Sequence, residues 1–454
     1  MTAAHELPIY SREEVALHTA KSDAWVIIRD KVYNVTNWLD KHPGGVSLIL
    51  NLAGKDCSVE FNSFHLNPNY DRLKPFLIGQ LPAAQWHKDT QLGKDLKALF
   101  EELKNLKAFE SDYWLYIKLA SIISSLFVAS IYFLHFSSSY WSLCLSAMFL
   151  GLFWQQLAFV GHDLGHHAVT HNKKKDETLG YIFGNFLQGI SVAWWRHSHN
   201  THHTLTNSIN HDPDIQHLPV LAVSKSYFNN IFSTYYHRVL KFDRIAHLFV
   251  SIQHYMFFPI MGLARFNLYA QSFIFNLIGV GASSKGKQAE LFSLLGFWTW
   301  FLMLLMYISS TLSYSHAIIF LFLSHATAGL VHIQICISHF SMETYMGVPQ
   351  SNYENDGYFL SQLMTTMNVD CPPWMDLFHG GLQFQIEHHI FPHLTRSKLR
   401  YVQGRLQSLC KKHGLPHHSK PFFGAVLAVV EKLHETSKEL KLSNMIWDGM
   451  NLVG

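Results

Sequence analysis

The chain is poor in charge and in cysteine. Charged residues fill 15% of its 454 positions, against about 25% in an average soluble protein. With hydrophobic residues at 48%, that balance points to a membrane protein. The excess of base over acid is only +3, too small to argue for a nucleic-acid partner. Five cysteines (Cys57, Cys144, Cys336, Cys371, Cys410) are scattered with no CxxC pair, which argues against a disulfide framework and a thiolate zinc site. The first 20 residues carry charges and no apolar run, so no secretory leader is expected and the N-terminus should stay in the cytosol.

Histidine is what abounds: 31 residues, nearly as many as the 35 Lys plus Arg. Many fall in three clusters. They read His162-Asp-Leu-Gly-His166-His167, His199-Asn-Thr-His202-His203 and Gln385-Ile-Glu-His388-His389. On a helix, residues four apart share a face, so His162 and His166 can serve one ion or two adjacent ions. His199, His202 and His203 combine offsets of three and one, which suits bridging between two metals. Unliganded ring nitrogens in this number would be costly to bury. One zinc takes four ligands, and seven or eight histidines fit two metals better. Imidazole suits iron, copper, nickel and zinc, so ligand type does not choose among them. No repeated Glu-x-x-His of the soluble carboxylate di-iron bundles is present.

Apolar runs place these clusters. Spans are expected at about 113–136, 140–160, 291–313 and 317–337, each near the ~20 residues that cross a bilayer core. The connection at Ser137, Ser138 and Ser139 and a second short one make two hairpins. Residues 179–195 and 247–280 are also apolar, but glycine, His254, Arg265 and Asn267 interrupt them, and they read as interfacial segments. A cytosolic N-terminus and two hairpins put all three clusters on the cytosolic side. Basic residues gather there too, among them Lys173, Arg396, Arg400 and Lys412. His339, just past the fourth span, is an expected further ligand. His332 lies deeper and is expected to be packed. His167 and His197 break the shared spacing and stay outside the ligand set. His211 and His217, flanking Asp212-Pro-Asp214, are expected to hydrogen-bond the ligands.

Residues 1–85 read as a small soluble α+β domain, and 86–112 as a charged helical linker over or beside the membrane. Trp25–Ile28 and Lys31–Val35 are short strands with a turn at Arg29-Asp30. Ser47 to Gly54 is a short helix ending at glycine. His42-Pro43-Gly44-Gly45 and His65 stand 23 residues apart. Two histidines on separate loops can clamp a haem from both sides, leaving no open position and so favouring electron transfer.

Residues 8–82 resemble cytochrome b5. The rest, 113–454, resembles the membrane fatty-acid desaturases, with their histidine boxes HxxxH, HxxHH and QxxHH. The fusion order, and Gln385 where other members carry histidine, resemble the front-end desaturases. Trp194-Trp195, Asp212-Pro-Asp214 and Trp374-Met-Asp376 resemble the plant-type group, which holds both acyl-lipid and sphingolipid long-chain-base desaturases.

The resemblance implies an α-helical integral membrane protein with four transmembrane helices under a cytosolic histidine-rich cap. It implies two iron ions held by His162, His166, His199, His202, His203, His388 and His389, with Gln385 at a box position and His339 beside them. Haem b would sit between His42 and His65. O2 and an NADH-cytochrome b5 reductase are the implied partners, and the endoplasmic reticulum membrane the implied location. The expected reaction places a double bond on the carboxyl side of a lipid-linked polyunsaturated acyl chain. The alternatives are Δ8-type desaturation of a sphingolipid long-chain base and, behind it, lipid hydroxylation.

Overall fold

The computed structural model describes residues 7–42, 44–65, 68–88, 90–136, 139–278, 284–348 and 357–451. Pro43 of the His-Pro-Gly-Gly turn, and Ser137 and Ser138 of the first short connection, lie outside the described residues.

The N-terminal segment forms a four-stranded antiparallel sheet from Thr19–Ala20, Asp23–Ile28, Lys31–Asn34 and Leu77–Gln80, in chain order. Arg29 and Asp30 both take positive φ, 51° and 62°, the conformation a two-residue hairpin turn demands. Ala24, Val26 and Ile28 are buried on the helix-facing side with Leu39, Ala53 and Cys57. The helix expected to reach Gly54 is shorter, Val46–Leu50; a turn follows it, and Gly54 sits at φ +81°. His42 follows the Thr36–Lys41 turn of 3-10 helix, and His65 ends the Ser58–Phe64 helix.

The charged stretch forms a helix, Gln91–Asn105. It does not lie free. Leu92, Leu99 and Leu103 form an apolar stripe buried against Phe384, Ile386, Leu399 and Leu406, at the three-and-four spacing that puts side chains on one face.

Among the described residues, four helices are long and apolar enough to cross a membrane: Tyr113–His135, Tyr140–Gly165, Gly286–Thr311 and Tyr314–Cys336. The second continues five residues past its expected end and carries His162 inside it. The fourth is divided at Gly329 into Tyr314–Ala328 and Leu330–Cys336. The second and fourth press together at Gly151, where an added Cβ would stand 2.5 Å from Thr327 Cβ. Neither interrupted apolar stretch is among the four. Residues 179–195 turn through a π-helical segment, Tyr181–Phe186. Residues 247–280 fall mainly in helices Arg244–Ser251 and Gln253–Ile278.

Glutamines inside the spans anchor the C-terminal part. Gln155 Nε2 and Gln334 Nε2 both donate to the Phe378 carbonyl, at 3.1 and 2.8 Å. Gln156 Nε2 donates to the Leu377 carbonyl at 3.0 Å. Amides buried in an apolar bundle must find acceptors, and these set the 374–380 segment just ahead of the third cluster.

Candidate metal centre

Three short helical pieces and a turn deliver the histidines. The end of Tyr140–Gly165 presents His162 and, at its cap, His166. Val192–Thr204 presents His199, His202 and His203; its N-terminus is fixed by Ser191, whose hydroxyl accepts from Trp194 N–H and donates to Glu290. Gln385–Ile390 presents His388 and His389. It is clamped by Asn368, which accepts from Ile386 N–H at 3.0 Å and donates to Glu387 at 2.7 Å. His339 lies just beyond the Leu330–Cys336 helix.

The side chains converge into two groups. His162, His166, His199 and His388 form one; His202, His339 and His389 form the other. Within each, a ligand atom from every residue lies within 4.8 Å of the others. His203 belongs to neither group and sits between them. Its Nε2 is 3.0 Å from His199 Nε2, and its ring centroid is 4.6 Å from that of His388 and 4.1 Å from that of His389. The adjacent pairs 202–203 and 388–389 are what spread the cluster over two centres.

Ring orientation is set from outside. In the second group each Nδ1 faces an oxygen: His202 that of Asp212 at 2.8 Å, His389 that of Gln362 at 2.8 Å, His339 the Thr365 carbonyl at 3.3 Å. Donation from Nδ1 fixes the tautomer that leaves Nε2 as the ligating atom. In the first group Asp163 lies 3.5 Å from His162 Nδ1, and Asp214 3.6 Å from His199 Nδ1. Asp163 is paired in turn with Arg396 at 2.7 Å and accepts from the Tyr116 hydroxyl at 2.9 Å. The bracing expected of His211 and His217 falls instead to the two aspartates between them. His211 meets Thr234 and His217 the Asp214 carbonyl, because the Pro213 turn aims the carboxylates, not the imidazoles, at the cluster.

The ring nitrogens fit a metal. His162, His166, His388 and His389 Nε2 and His203 Nδ1 are buried with no hydrogen-bond partner among the described residues, a costly arrangement unless something ligates them. Burial first, then neighbouring imidazoles, holds His166, His199, His203, His388 and His389 well below the usual histidine pKa. They are therefore neutral, the form that binds metal. His202 differs: burial opposes its charge, but Asp212 and Asp214 outweigh burial and raise it to about 8. Among the described residues no carboxylate joins either group, so two irons here would keep most of their positive charge.

A largely apolar cavity opens on these groups, lined by His162, His199, His202, His339 and the buried Gln385. Its walls include Phe159 from the second span and Val331 and Ile335 from the fourth, as the chemistry of a lipid chain requires. Trp195, Leu268 and Leu382 complete it; no sequence pattern marked them as lining residues. His332, expected to be packed, also lines it. His167 and His197 fall outside both groups. His167 contacts Arg196, and His197 packs beside Gly45, whose φ of +95° leaves no room for a side chain there.

The two histidines expected to hold haem lie near the same cluster. The ring centroids of His42 and His65 are 6.2 Å apart. Two metal–imidazole bonds of about 2 Å plus two ring radii span about 6 Å. Each Nδ1 faces a backbone carbonyl, Gly45 for His42 and Phe61 for His65, which leaves each Nε2 for the iron of a haem. Phe64, beside His65, reaches the cluster: its ring is 6.4 Å from His203, and its carbonyl is 3.1 Å from His393 Nε2.

Two groups of converging histidines beside four membrane-length helices, joined to a domain with a facing histidine pair, make a metal-binding membrane protein with a fused small domain the class to look for. The fatty acid desaturase family pattern matches residues 138–421, and the cytochrome b5-like haem/steroid-binding domain matches 11–82. The chain belongs to the fatty acid desaturase family and is an oxidoreductase of the front-end type with an N-terminal cytochrome b5-like domain. It is 35% identical to the Delta(8)-fatty-acid desaturase 2 of Arabidopsis thaliana, over 97% of each chain. It is 35% identical to the Delta 8-(E)-sphingolipid desaturase of Komagataella phaffii, over 96% of this chain and 95% of that one. It is 33% identical to the acyl-lipid (9-3)-desaturase of Borago officinalis, over 97% and 98%.

Proposed function

We propose that this desaturase acts on the long-chain base of a sphingolipid and introduces a double bond at the Δ8 position. The carrying observation is a pair of histidine groups, with no carboxylate ligand among the described residues, opening on a largely apolar cavity. Relatives in plants and in fungi are named for Δ8 desaturation, and the fungal one is named for a sphingolipid, which favours this reading over the acyl one. Acyl desaturation is the second reading, favoured by the Borago relative at similar identity.

In this reading His162, His166, His199 and His388 hold one iron and His202, His339 and His389 the other, with His203 between them and Gln385 at the cavity edge. When bound, the irons would supply the O2-derived oxidant that an unactivated C–H bond requires; overall, two hydrogens from the substrate, two electrons from the haem and two protons from solvent reduce O2 to two waters. Everything else is positioning. The cavity wall fixes which carbons meet the metals, and Asp212, Gln362 and Thr365 hold the ligand rings. His42 and His65 hold haem b, which an NADH-cytochrome b5 reductase refills one electron at a time. Residues 1–85 form the haem domain, 86–112 the connection and 113–454 the desaturase domain. The four spans cross the endoplasmic reticulum membrane as two hairpins, with the histidine cap and N-terminus cytosolic.

The test is a total fatty-acid and long-chain-base profile of yeast cells expressing the chain, with and without added polyunsaturated acids. A new unsaturated long-chain base with acyl chains unchanged is expected. A new double bond on the carboxyl side of an added acid, with bases unchanged, replaces this reading with the acyl one. A hydroxylated product would move the assignment to a lipid hydroxylase.

A further inference from the structure

Gln188, Arg265 and His332 line the lipid cavity, alongside Asp214 and Gln385, and belong to neither histidine group. They are 2%, 1% and 7% exposed. Gln188 Nε2 donates to the Phe183 carbonyl at 3.0 Å, while its Oε1 has no partner. His332 Nδ1 lies 3.0 Å from the Met261 carbonyl. A carbonyl only accepts, so Nδ1 carries the hydrogen and Nε2 is a bare acceptor; it too has no partner. Arg265 donates from Nε to the Tyr269 hydroxyl and from Nη2 to the Gln188 carbonyl, both at 2.7 Å. Its guanidinium lies 4.6 Å from the Trp154 ring centroid. Both oxygen partners are neutral. Two unmet acceptors and a buried cation thus share one largely apolar cavity, and buried polar groups left this way are expensive.

The chemistry selects what would satisfy them. A plain methylene chain satisfies none. A carboxylate or phosphate could pair with Arg265 but would be repelled by two lone-pair acceptors. A hydroxyl both donates and accepts. We propose that Gln188, Arg265 and His332 form a subsite for a hydroxyl carried on the lipid chain, whose O–H donates to Gln188 Oε1 or His332 Nε2 and whose oxygen accepts from Arg265. This rests on the desaturase reading and deepens it. A long-chain base carries hydroxyls near its head, whereas an ordinary acyl chain carries none, so the subsite is where the two substrate classes would be told apart.

The experiment uses microsomes from yeast cells expressing the full chain, supplied with sphinganine or with its analogue lacking the 3-hydroxyl. Desaturated products are quantified by mass spectrometry. The analogue is expected to turn over about tenfold or more slowly, the worth of one or two buried hydrogen bonds. In the Gln188→Leu and His332→Phe variants that preference should collapse toward one, with haem absorbance and iron content as in the parent. The parent protein and its two substrates decide the matter even where a variant fails to fold. Equal turnover of both bases overturns the subsite and leaves the long-chain-base reading standing. Desaturation of acyl chains alone overturns both.

Discussion

The two histidine sites of this chain are built in opposite ways. His42 and His65 belong to one small domain. A backbone carbonyl orients each ring, and His65 is exposed. The metal cluster is gathered from four segments between residues 162 and 389, nearly all of it buried, with side chains such as Asp212 and Gln362 holding its rings. The difference follows from the work. A haem that only passes electrons needs an approachable edge and no open coordination position. A centre that oxidises a C–H bond must exclude water and hold its geometry against a flexible substrate.

His388→Ala would break the comparison most sharply. It removes a ligand from the first group and the nearest neighbour of His162, whose ring centroid is 4.4 Å away. Iron per chain, read by elemental analysis, should fall together with all desaturated product, while the haem absorbance stays. Normal iron content would take His388 out of the ligand set. His42→Ala is the mirror experiment. Haem absorbance should vanish and iron remain, with turnover lost in cells that lack a spare cytochrome b5. Full activity in such cells would remove the His42/His65 pair from the electron path.

The same contrast decided what could be read from the chain. The histidine pair is local, so a His-Pro-Gly-Gly turn and a second histidine 23 residues on were enough to single it out as a candidate haem site. The boxes were legible because i, i+3 and i+4 spacing survives folding, and the spans because their apolar runs are long. His339 could be placed by its position past the fourth span. The braces were not legible. Asp212 reaches His202 only because the chain turns at Pro213, and nothing in the sequence near Gln362 or Thr365 hints that they face His389 and His339. What the linker helix packs on was hidden for a related reason. Its charges were visible, but the partner surface for Leu92, Leu99 and Leu103 lies three hundred residues away in sequence.

Asp212→Asn sharpens the comparison by removing a brace and keeping every ligand. Losing a carboxylate behind a ligating histidine typically costs 10–100-fold in metal affinity or activity. Asp212 also accepts from Asn207 N–H at 2.7 Å, so the variant should loosen the turn as well. Iron retention against a chelator should weaken by about that factor, with haem binding untouched. Unchanged retention would mean that packing alone orients His202.

The smallest expected effect lies where the two sites meet. His393 faces the His166 carbonyl at 2.7 Å through Nδ1 and the Phe64 carbonyl at 3.1 Å through Nε2. One imidazole therefore spans from a metal-ligand residue to the neighbour of a haem-ligand residue. Burial lowers its pKa, and a neutral ring has one N–H for two carbonyls, so the contact is worth about one hydrogen bond. His393→Phe keeps the ring's bulk and removes that bond. Haem and iron contents should both stay at parent values, and the re-oxidation of pre-reduced haem under O2, followed by stopped-flow absorbance, should slow by about threefold to tenfold. An unchanged rate would mean that the haem domain docks through its other contacts, Phe64 against His203 and Gly45 against His197. The exposed site and the buried one would then be coupled by packing and not by a hydrogen bond.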